Sequence, residues 1–287
     1  MQETNNHLFL FSVDLEDVRL RVENGLSYKA RVEALVDRYL EFLDSYDSTA
    51  TFFTVGGIPK YYPSLIEKIV SQGHEIACHS SEHKAVVNQT KEEFKDDVSR
   101  NMESLYNAGA KEIKGYRAPT FSVTPKTLWV YEVLSELGIT YSSSVLPAKN
   151  PLYGWESFGE HPKKMNSDIW EIPITLRKSS LFKVPFSGGV YFRFLPFYFV
   201  KKSFAFRFSN GSAVTSYFHP YDIDLDQERF MHPEINDSPI YNYLMYYNRK
   251  KVFSRLHKIM TTFKPKIITY KSYVSSLELE NNSNIAS

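Results

Sequence analysis

The strongest constraint on the fold of this chain is a regular alternation between short apolar runs and amphipathic helical segments. Residues 7–13 form an apolar run rich in strand-forming residues, which ends at the acidic cluster of residues 14–17. Apolar positions then recur with helical spacing over residues 28–45. The same pattern predicts strands at residues 50–55, 75–78 and 113–117 and helices at residues 63–71, 91–106 and 124–137. Such alternation is typical of parallel strands covered by helices.

The alternation weakens after residue 145. Residues 146–167 are rich in Pro, Gly, Asn and Lys, which predicts a long loop. Further elements are predicted as strands at residues 169–174, 213–218 and 266–270 and a helix at residues 248–263. We therefore expect one domain over residues 1–278, in which residues 146–167 and 180–212 are insertions that shape a groove, followed by a disordered tail at residues 279–287.

Composition excludes several classes of protein. The 287 residues are enough for one large domain, and 34 basic against 33 acidic residues give a net charge of +1, which argues against nucleic-acid binding. A single cysteine, Cys78, excludes an internal disulfide and favours a reducing compartment. No signal peptide or membrane-spanning run is visible, so a cytoplasmic protein is expected. The aromatic stretch 192–208 is expected to be buried, with a membrane surface as the alternative.

Reactive side chains follow several of the predicted strands. His79 and His83 are four residues apart and can reach one divalent ion, and a carboxylate from another strand would complete a three-ligand site open to water. Asp14, Arg117 and His219 each stand at the end of another predicted strand. The carboxyl ends of parallel strands carry the catalytic residues of barrel enzymes. The pattern therefore predicts a metal-dependent active site.

Each of these residues also has a purely structural interpretation. In this interpretation Asp14 caps the next helix and Arg117 forms a surface ion pair. His219 is then a buried, hydrogen-bonded histidine. Three acids among residues 14–17 crowd like charges together, which a bound cation would relieve. That crowding favours the functional interpretation.

The sequence resembles the polysaccharide deacetylases of the NodB-homology type, a carbohydrate esterase family 4-like group, and in particular the branch associated with exopolysaccharide and O-antigen gene clusters. The resemblance spans nearly the whole chain. It is carried by the motifs at residues 12–17 (SVDLED), 50–56 (ATFFTVG), 73–83 (GHEIACHSSEH), 115–122 (GYRAPTFS), 188–193 (GGVYFR) and 217–221 (YFHPY). It implies an α/β fold, a distorted (β/α) barrel of about seven parallel strands.

The resemblance also implies roles for individual residues. His79 and His83 would bind one divalent metal ion together with an acidic residue, Asp14 would be the general base, Arg117 would orient that base, and His219 would be the general acid. Zinc is the expected metal, and Co, Ni, Mn and Fe suit the same ligands.

Two departures from the family pattern bear on these roles. Leu15 separates Asp14 from the next acid, so the carboxylate ligand is Glu16 or Asp17; we choose Glu16, because side chains two apart on an extended segment point the same way. Ser142 stands where relatives usually have an aspartate that supports the catalytic histidine. Either Asp222 or another carboxylate replaces it, or the acid function of His219 is weakened.

The expected substrate is an N-acetylated sugar or saccharide of surface-polysaccharide assembly, and the oligomeric state is left open. The backbone N–H near Thr120 is a candidate oxyanion donor, and Tyr221 is a further candidate substrate contact. Residues 188–193, with Tyr191 and Arg193, form either a sugar-stacking loop or a tight turn that carries core aromatics. The alternative functions are hydrolysis of another amide, such as a formamido sugar or small cyclic amide, and saccharide binding without catalysis.

Overall fold

Short strands and the helices between them follow the predicted alternation in the computed structural model, which describes residues 7–149, 153–177, 183–233 and 235–285. The strands are β1 (Leu8–Leu10), β2 (Ser12–Leu15), β3 (Thr51–Thr54), β4 (Glu75–Cys78), β5 (Gly115–Tyr116), β6 (Tyr141–Ser142), β7 (Lys163–Lys164), β8 (Trp170–Glu171), β9 (Leu176–Arg177), β10 (Val184–Pro185), β11 (Val214–Thr215) and β12 (Lys266–Ile267).

The α-helices are α1 (Val32–Asp44), α2 (Gly57–Tyr61), α3 (Pro63–Ser71), α4 (Lys91–Asn107), α5 (Trp129–Glu136), α6 (Gly189–Phe194), α7 (Phe197–Ser209), α8 (Pro239–Tyr246), α9 (Val252–Phe263) and α10 (Tyr270–Ile285). Short 3₁₀ helices lie at Val18–Arg21, Gly25–Ser27, Val86–Asn88, Pro119–Phe121, Pro125–Thr127, Glu156–Phe158, Pro220–Ile223 and Arg249–Lys251. No helix in these described segments is long and apolar enough to cross a membrane.

The main sheet has the order β2-β3-β4-β5-β6-β8-β7, and each pair in it is parallel except β7 with β8. Strand β1 leads directly into β2 and pairs in parallel with β11 and β12. An isolated parallel bridge between Val13 and Phe218 continues the β11 side along β2. The predicted α/β fold with a mostly parallel sheet is confirmed.

The two ends of the strand array meet at Thr175 and Thr215 without a continuous ladder. The backbone N–H of Thr175 donates to Oγ1 of Thr215 at 2.8 Å, and the N–H of Thr215 donates to Oγ1 of Thr175 at 2.9 Å. These reciprocal bonds satisfy backbone donors that a regular strand pair would otherwise satisfy. The array is therefore a barrel-like sheet in which side chains bridge the last gap.

Helices α1, α3, α4, α5 and α9 each bury one apolar face in the core. Helix α1 buries Val36, Tyr39, Leu40 and Leu43, at helical spacing, in the main apolar core. Helix α4 begins at Thr90 with a capping box, in which Thr90 accepts from the N–H of Glu93 and Glu93 accepts from the N–H of Thr90. This packing holds the carboxyl ends of the strands at one edge, where the reactive residues lie.

Several predicted boundaries differ from the structure. Residues 189–209, expected within an insertion, contain helices α6 and α7. Helix α10 extends to Ile285, whereas a disordered tail was predicted from residue 279. The prediction differs because the sequence pattern does not show that the strand ends at Ile267 and that a helix begins at Tyr270. Residues 150–152 and 180–182 of the predicted insertions, and residues 286–287 of the predicted tail, lie outside the described residues.

Candidate active site

The predicted reactive residues converge at the carboxyl ends of the strands. Asp14 lies in β2 and Glu16 directly follows it, His79 follows β4, and Arg117 follows β5. Their strands β2, β4 and β5 are parallel members of one sheet, so their carboxyl ends lie at the same edge of it. A cavity of ≈ 200 Å³ opens there and is lined by, among others, Asp14, Glu16, His79, His83, Thr120, His219 and Tyr221.

Asp14 and Arg117 form a buried ion pair at the base of this cavity. The Nη1 atom of Arg117 donates to Oδ1 of Asp14 at 2.5 Å and to the hydroxyl of Ser12 at 2.8 Å. Nη2 of the same guanidinium donates to the hydroxyl of Tyr270 at 2.9 Å. Burial opposes the positive charge, but Asp14 and Tyr270 outweigh it and raise the pKa of Arg117. Arg117 is therefore a fixed, charged partner for Asp14.

His219 is held by Asp222 on the opposite wall. Oδ2 of Asp222 lies 3.1 Å from Nδ1 of His219 and also accepts from the backbone N–H of His219 at 2.9 Å. Oδ1 of Asp222 accepts from Nε of Arg193 at 2.9 Å. Asp222 thus supplies the charge that Ser142 does not, since the hydroxyl of Ser142 bonds to that of Ser144 instead.

The other ring nitrogen of His219 faces the two cavity carboxylates. Its Nε2 atom lies 3.9 Å from Oδ2 of Asp14 and 3.8 Å from Oε1 of Glu16. Burial disfavours the charged imidazole, but the hydrogen bond and negative charge of Asp222, together with Glu16 and Asp14, outweigh burial and raise the pKa of His219. At a given pH the protonated form is therefore more populated than in a free histidine, and its Nε2–H faces the cavity carboxylates.

The two acids that follow Leu15 have different surroundings. Burial opposes ionisation of Glu16, but Arg21 and the histidines around it lower the pKa of Glu16 to about 2. Asp17 instead accepts two hydrogen bonds from Nε of Arg19, at 3.1 and 3.0 Å, and one from the hydroxyl of Tyr62 at 2.7 Å. Glu16 alone of these two lines the catalytic cavity, in agreement with the alternation argument.

His79 has the protonation state and orientation of a metal ligand. Its Nδ1–H donates to the carbonyl oxygen of Arg117 at 2.8 Å, which leaves Nε2 without a proton. Burial and the neighbouring His83 lower the pKa of His79 to about 4, although Asp14 opposes this shift. The two imidazole rings are 5.0 Å apart between centroids. A neutral imidazole beside an ionised carboxylate suits a divalent cation.

Arg21 lies between two of the candidate ligands. Its guanidinium forms an ion pair with Glu16. The Nη1 atom of Arg21 also lies 2.9 Å from Nδ1 of His83. Within the described part of the chain no group of three or more His, Cys, Asp or Glu side chains is arranged as a metal site. The types of donor atom fit a divalent ion, but Arg21 occupies the contacts that Glu16 and His83 would make with it.

Four residues in the segments that border the same cavity have a strained backbone conformation. Ser80, His83, Thr120 and Phe121 all have left-handed φ angles, between 53° and 68°, although none is glycine. Such conformations cost free energy and persist where the surrounding structure enforces them, often at active sites. Here they set the directions in which the His83 and Thr120 side chains enter the cavity.

The predicted substrate contacts divide into two groups. Thr120 and Tyr221 line the cavity, and the ring of Tyr221 stacks on that of His219 at 4.5 Å. Tyr191 and Arg193 do not line it. Arg193 is only 1% exposed and donates to Asp222 and to the carbonyl oxygens of residues 244, 245 and 247. Residues 188–193 therefore begin a helix that supports the site, closer to the structural alternative.

Sequence reasoning missed Arg21, Tyr217 and His232, which also line the cavity. Burial lowers the pKa of His232 to about 3, and Arg249 adds to this effect, so the ring is neutral. A lone arginine at the end of a 3₁₀ helix, or a lone histidine in a loop, has no spacing pattern that identifies it. The proximity of Tyr217 to His219 in the 217–221 motif was the one available signal.

Comparison with known families gives two matches along the chain. Residues 18–142 match the family described as polysaccharide deacetylase, and residues 143–270 match a domain of unknown function, DUF3473. Residues 18–142 are therefore similar to the polysaccharide deacetylase family. This match begins after Asp14 and Glu16, and His219 lies in the second match.

Curated relatives match this chain over part of their length. The chain is 29% identical over 117 residues to the peptidoglycan-N-acetylmuramic acid deacetylase PdaA of Bacillus subtilis (strain 168), which covers 41% of this chain and 43% of the relative. It is 32% identical over 59 residues to a peptidoglycan-N-acetylglucosamine deacetylase of Bacillus cereus, which covers 21% of this chain and 28% of the relative. The chain thus spans less than half the length of either relative.

Solved structures share the fold of this chain at low identity. A putative polysaccharide deacetylase from Mycobacterium smegmatis aligns with a TM-score of 0.62 and 16% identity, over 98% of this chain and 93% of that chain. A CE4 family pseudoenzyme from Bacillus anthracis aligns with a TM-score of 0.51 and 11% identity, over 94% of this chain and 66% of that chain. These similarities show that the polysaccharide deacetylase fold extends across both matched halves.

Proposed function

We propose that this chain is a metal-dependent deacetylase that removes the acetyl group from an N-acetylated amino sugar during surface-polysaccharide or O-antigen assembly. The proposal rests on two buried pairs of side chains beside one cavity, Asp14 with Arg117 and His219 with Asp222. The Nε2 atom of His219 lies 3.9 Å from Oδ2 of Asp14, so a base and an acid face each other across a short gap. The named relatives support the substrate class, since both are deacetylases of N-acetylated sugars.

Amide hydrolysis requires a proton to leave water and a proton to reach the departing amine. Asp14 accepts the proton of the attacking water on Oδ2, because its Oδ1 is engaged by Arg117. His219 donates from Nε2 to the sugar nitrogen, and Asp222 stabilises the imidazolium that makes this possible. The backbone N–H of Thr120, at the strained turn that borders the cavity, is the proposed donor to the oxyanion.

Glu16, His79 and His83 would hold the divalent ion, for which zinc is the proposed identity. A divalent ion in such a site lowers the pKa of bound water and polarises the acetyl carbonyl. Glu16 is ionised and His79 neutral near pH 7, as their pKa values of about 2 and about 4 require. Arg21 would have to release Glu16 and His83 for these side chains to serve as ligands.

The dimensions of the cavity support a small reacting group. Its volume of ≈ 200 Å³ suits an acetamido group and part of a sugar ring. A larger cleft of ≈ 940 Å³ lies beside it and shares Arg21 as a wall. That cleft also contains Lys60 and the exposed ring of Tyr61, which could contact the remainder of a saccharide.

The proposal is tested by measuring metal content and acetate release on the same preparations. We expect the wild-type chain to bind about one divalent ion and to release acetate from N-acetylglucosamine oligosaccharides or uridine diphosphate N-acetylglucosamine. The His79→Ala/His83→Ala variant should lose both properties. Formate release instead of acetate would indicate another amide substrate, and saccharide binding with no release by the metal-loaded chain would contradict the proposed catalysis.

A further inference from the structure

An exposed aromatic surface lies beside the candidate active site and is not used by the proposed mechanism. Its side chains are 37–73% exposed and come from helices α6, α7 and α8: Phe194, Tyr198, Phe199, Phe206, Ile240 and Tyr243. Large apolar side chains scattered singly on a surface are common, but a group of this size on adjoining helices is typical of an interaction surface. We call this group the aromatic surface.

Helix α7 is apolar on two opposite sides. Val200, Phe204 and Phe208 are buried in the core. Tyr198, Lys202 and Phe206 follow one another at a spacing of four residues, so they share the outer side of the helix. The core explains the inner aromatic residues of α7, but it does not explain those on the outer side.

The aromatic surface is continuous between α6 and α8 and reaches the rim of the catalytic cavity. The ring of Tyr247 lies 5.9 Å from that of Tyr243 and 6.4 Å from that of Phe194, between centroids. Nη1 of Arg193 donates to the carbonyl oxygen of Met245 at 3.0 Å, and Met245 lines the catalytic cavity. A partner bound to the aromatic surface would therefore lie next to the cavity opening.

The charge of this part of the chain is strongly one-sided. Between Glu171 and Asp222 the sequence contains no Asp or Glu but three Arg and four Lys, although the whole chain has a net charge of only +1. Lys201 and Lys202 are exposed on α7. Nζ of Lys202 lies 4.8 Å from the ring centroid of Tyr198, and Cζ of Arg177 lies 4.5 Å from that of Phe199. Cations therefore lie against two of the exposed rings, whereas Arg193 and Arg207 are buried in ion pairs and add no charge to this surface.

We propose that the aromatic surface binds an anionic lipid bilayer. Aromatic rings enter the region between headgroups and acyl chains, and flanking lysines contact anionic headgroups while their apolar stems remain buried. The proposed binding of the chain to the bilayer rests only on the aromatic surface. A second step rests on the proposed deacetylase function: the cavity then opens at the membrane and acts on lipid-anchored saccharides.

The test is sedimentation of the full chain with vesicles of phosphatidylcholine alone and with vesicles that also contain phosphatidylglycerol. We expect the wild-type chain to bind the mixed vesicles, with an affinity that falls as salt is raised. Lys201→Glu/Lys202→Glu should weaken this binding by about tenfold or more, because each lysine contributes to attraction by anionic lipid. The matched control, Lys111→Glu/Lys114→Glu, changes the net charge equally on another part of the chain and should bind as the wild type does.

A second variant tests the rings separately from the charge. Phe194→Ser/Tyr198→Ser keeps the lysines and should weaken binding even at high salt, where the electrostatic contribution is screened. The proposal would be overturned if the wild type did not bind the mixed vesicles, or if Lys201→Glu/Lys202→Glu and Phe194→Ser/Tyr198→Ser both bound them as the wild type does. A concentration-dependent dimer that Phe194→Ser/Tyr198→Ser abolishes without any vesicle binding would also overturn it, since the surface would then contact a second copy. Acetate release from a soluble saccharide should be unchanged in Lys201→Glu/Lys202→Glu and in Phe194→Ser/Tyr198→Ser. A loss of vesicle binding can therefore be distinguished from a loss of the proposed deacetylase activity.

Discussion

The Oδ1 atom of Asp14 lies 2.5 Å from Nη1 of Arg117, while Oδ2 of the same carboxylate faces Nε2 of His219 at 3.9 Å. One oxygen is thus committed to a buried cation and the other is directed into the cavity. Because Arg117 is fully buried and also held by Ser12 and Tyr270, the carboxylate cannot rotate without breaking several contacts. In the proposed mechanism, Oδ2 is therefore the oxygen that would receive the proton.

Asp14→Asn tests that role directly. The amide keeps the volume of the side chain but cannot accept a proton from water, so we expect kcat to fall by about 10²–10⁴-fold. Metal content should not change, because Asp14 is not a proposed ligand. Asp37→Asn, at an exposed ion pair with Lys68, is the matched control and should retain wild-type kcat. Retained turnover in Asp14→Asn would exclude Asp14 as the base.

Glu16→Gln and Asp17→Asn distinguish the two candidate carboxylate ligands. Glu16 lines the cavity with His79 and His83, whereas Asp17 is engaged by Arg19 and Tyr62. We therefore expect Glu16→Gln to weaken zinc binding by at least about tenfold, since a charged ligand is lost. Asp17→Asn should bind zinc as the wild type does, although it is expected to be less stable. Isothermal titration with zinc gives both affinities, and the reverse order would assign the ligand to Asp17.

Arg21→Ala tests whether this guanidinium competes with the metal ion. Arg21 contacts Glu16 and His83, so its positive charge opposes a divalent ion at the same side chains. We expect Arg21→Ala to bind zinc more tightly than the wild type, measured by the same titration. Arg100→Ala, at a largely exposed position, serves as the control. Weaker zinc binding by Arg21→Ala would show that Arg21 helps to assemble the site.

The sequence predicted the order of elements in the first half of the chain well because each helix there has a clear apolar face. Helix α3 begins at Pro63 and ends at Ser71, as predicted, since proline starts it and the apolar spacing defines its length. Prediction was weaker beyond residue 145, where strands such as β8 and β11 contain only two residues. Such strands are too short to show a period of two.

The sequence predicted the site residues that stand at strand ends. It did not predict the contacts that depend on how distant segments pack together. The convergence of Asp14, His79 and His219 follows from parallel strands, which the alternation indicated. The support of His219 by Asp222 depends on the 3₁₀ turn at Pro220–Ile223, which brings a residue three positions later back to the imidazole. Arg193, predicted to contact substrate, is instead buried against Asp222, and no local pattern reports that contact.

Asp222→Asn should change the pH dependence of the reaction. Although burial acts against it, Asp222 raises the pKa of His219 by its hydrogen bond and negative charge. Removing that charge lowers the pKa of His219, so the acid form is lost at a lower pH and the alkaline limb of kcat/KM moves to lower pH. Profiles of wild type and variant on one substrate measure the shift. An unchanged alkaline limb would mean that another group is the acid.

Arg193→Met tests whether Arg193 supports the fold or contacts the substrate. Its guanidinium is almost fully buried and is paired with Asp222. Burial alone would raise the pKa of the Asp222 carboxyl, but the positive charge of Arg193 and the contact with His219 outweigh burial and lower this pKa from 3.8 to about 2. Removing one partner leaves a buried charge without compensation, so we expect the free energy of unfolding to fall by about 3–5 kcal/mol. Urea unfolding of wild type and variant measures this difference, and Arg100→Met should stay within about 0.5 kcal/mol of the wild type.

The same pair predicts how that difference depends on pH. Asp222 has a lower pKa in the folded chain than in the unfolded chain, so its stabilising contribution is complete above pH 3.8 and is lost as pH falls through about 2. The gap between wild type and Arg193→Met should therefore narrow as the unfolding series is moved from pH 7 into this acidic range. A variant with wild-type stability at pH 7 and a raised KM would instead assign Arg193 to substrate binding, as the sequence motif alone suggested.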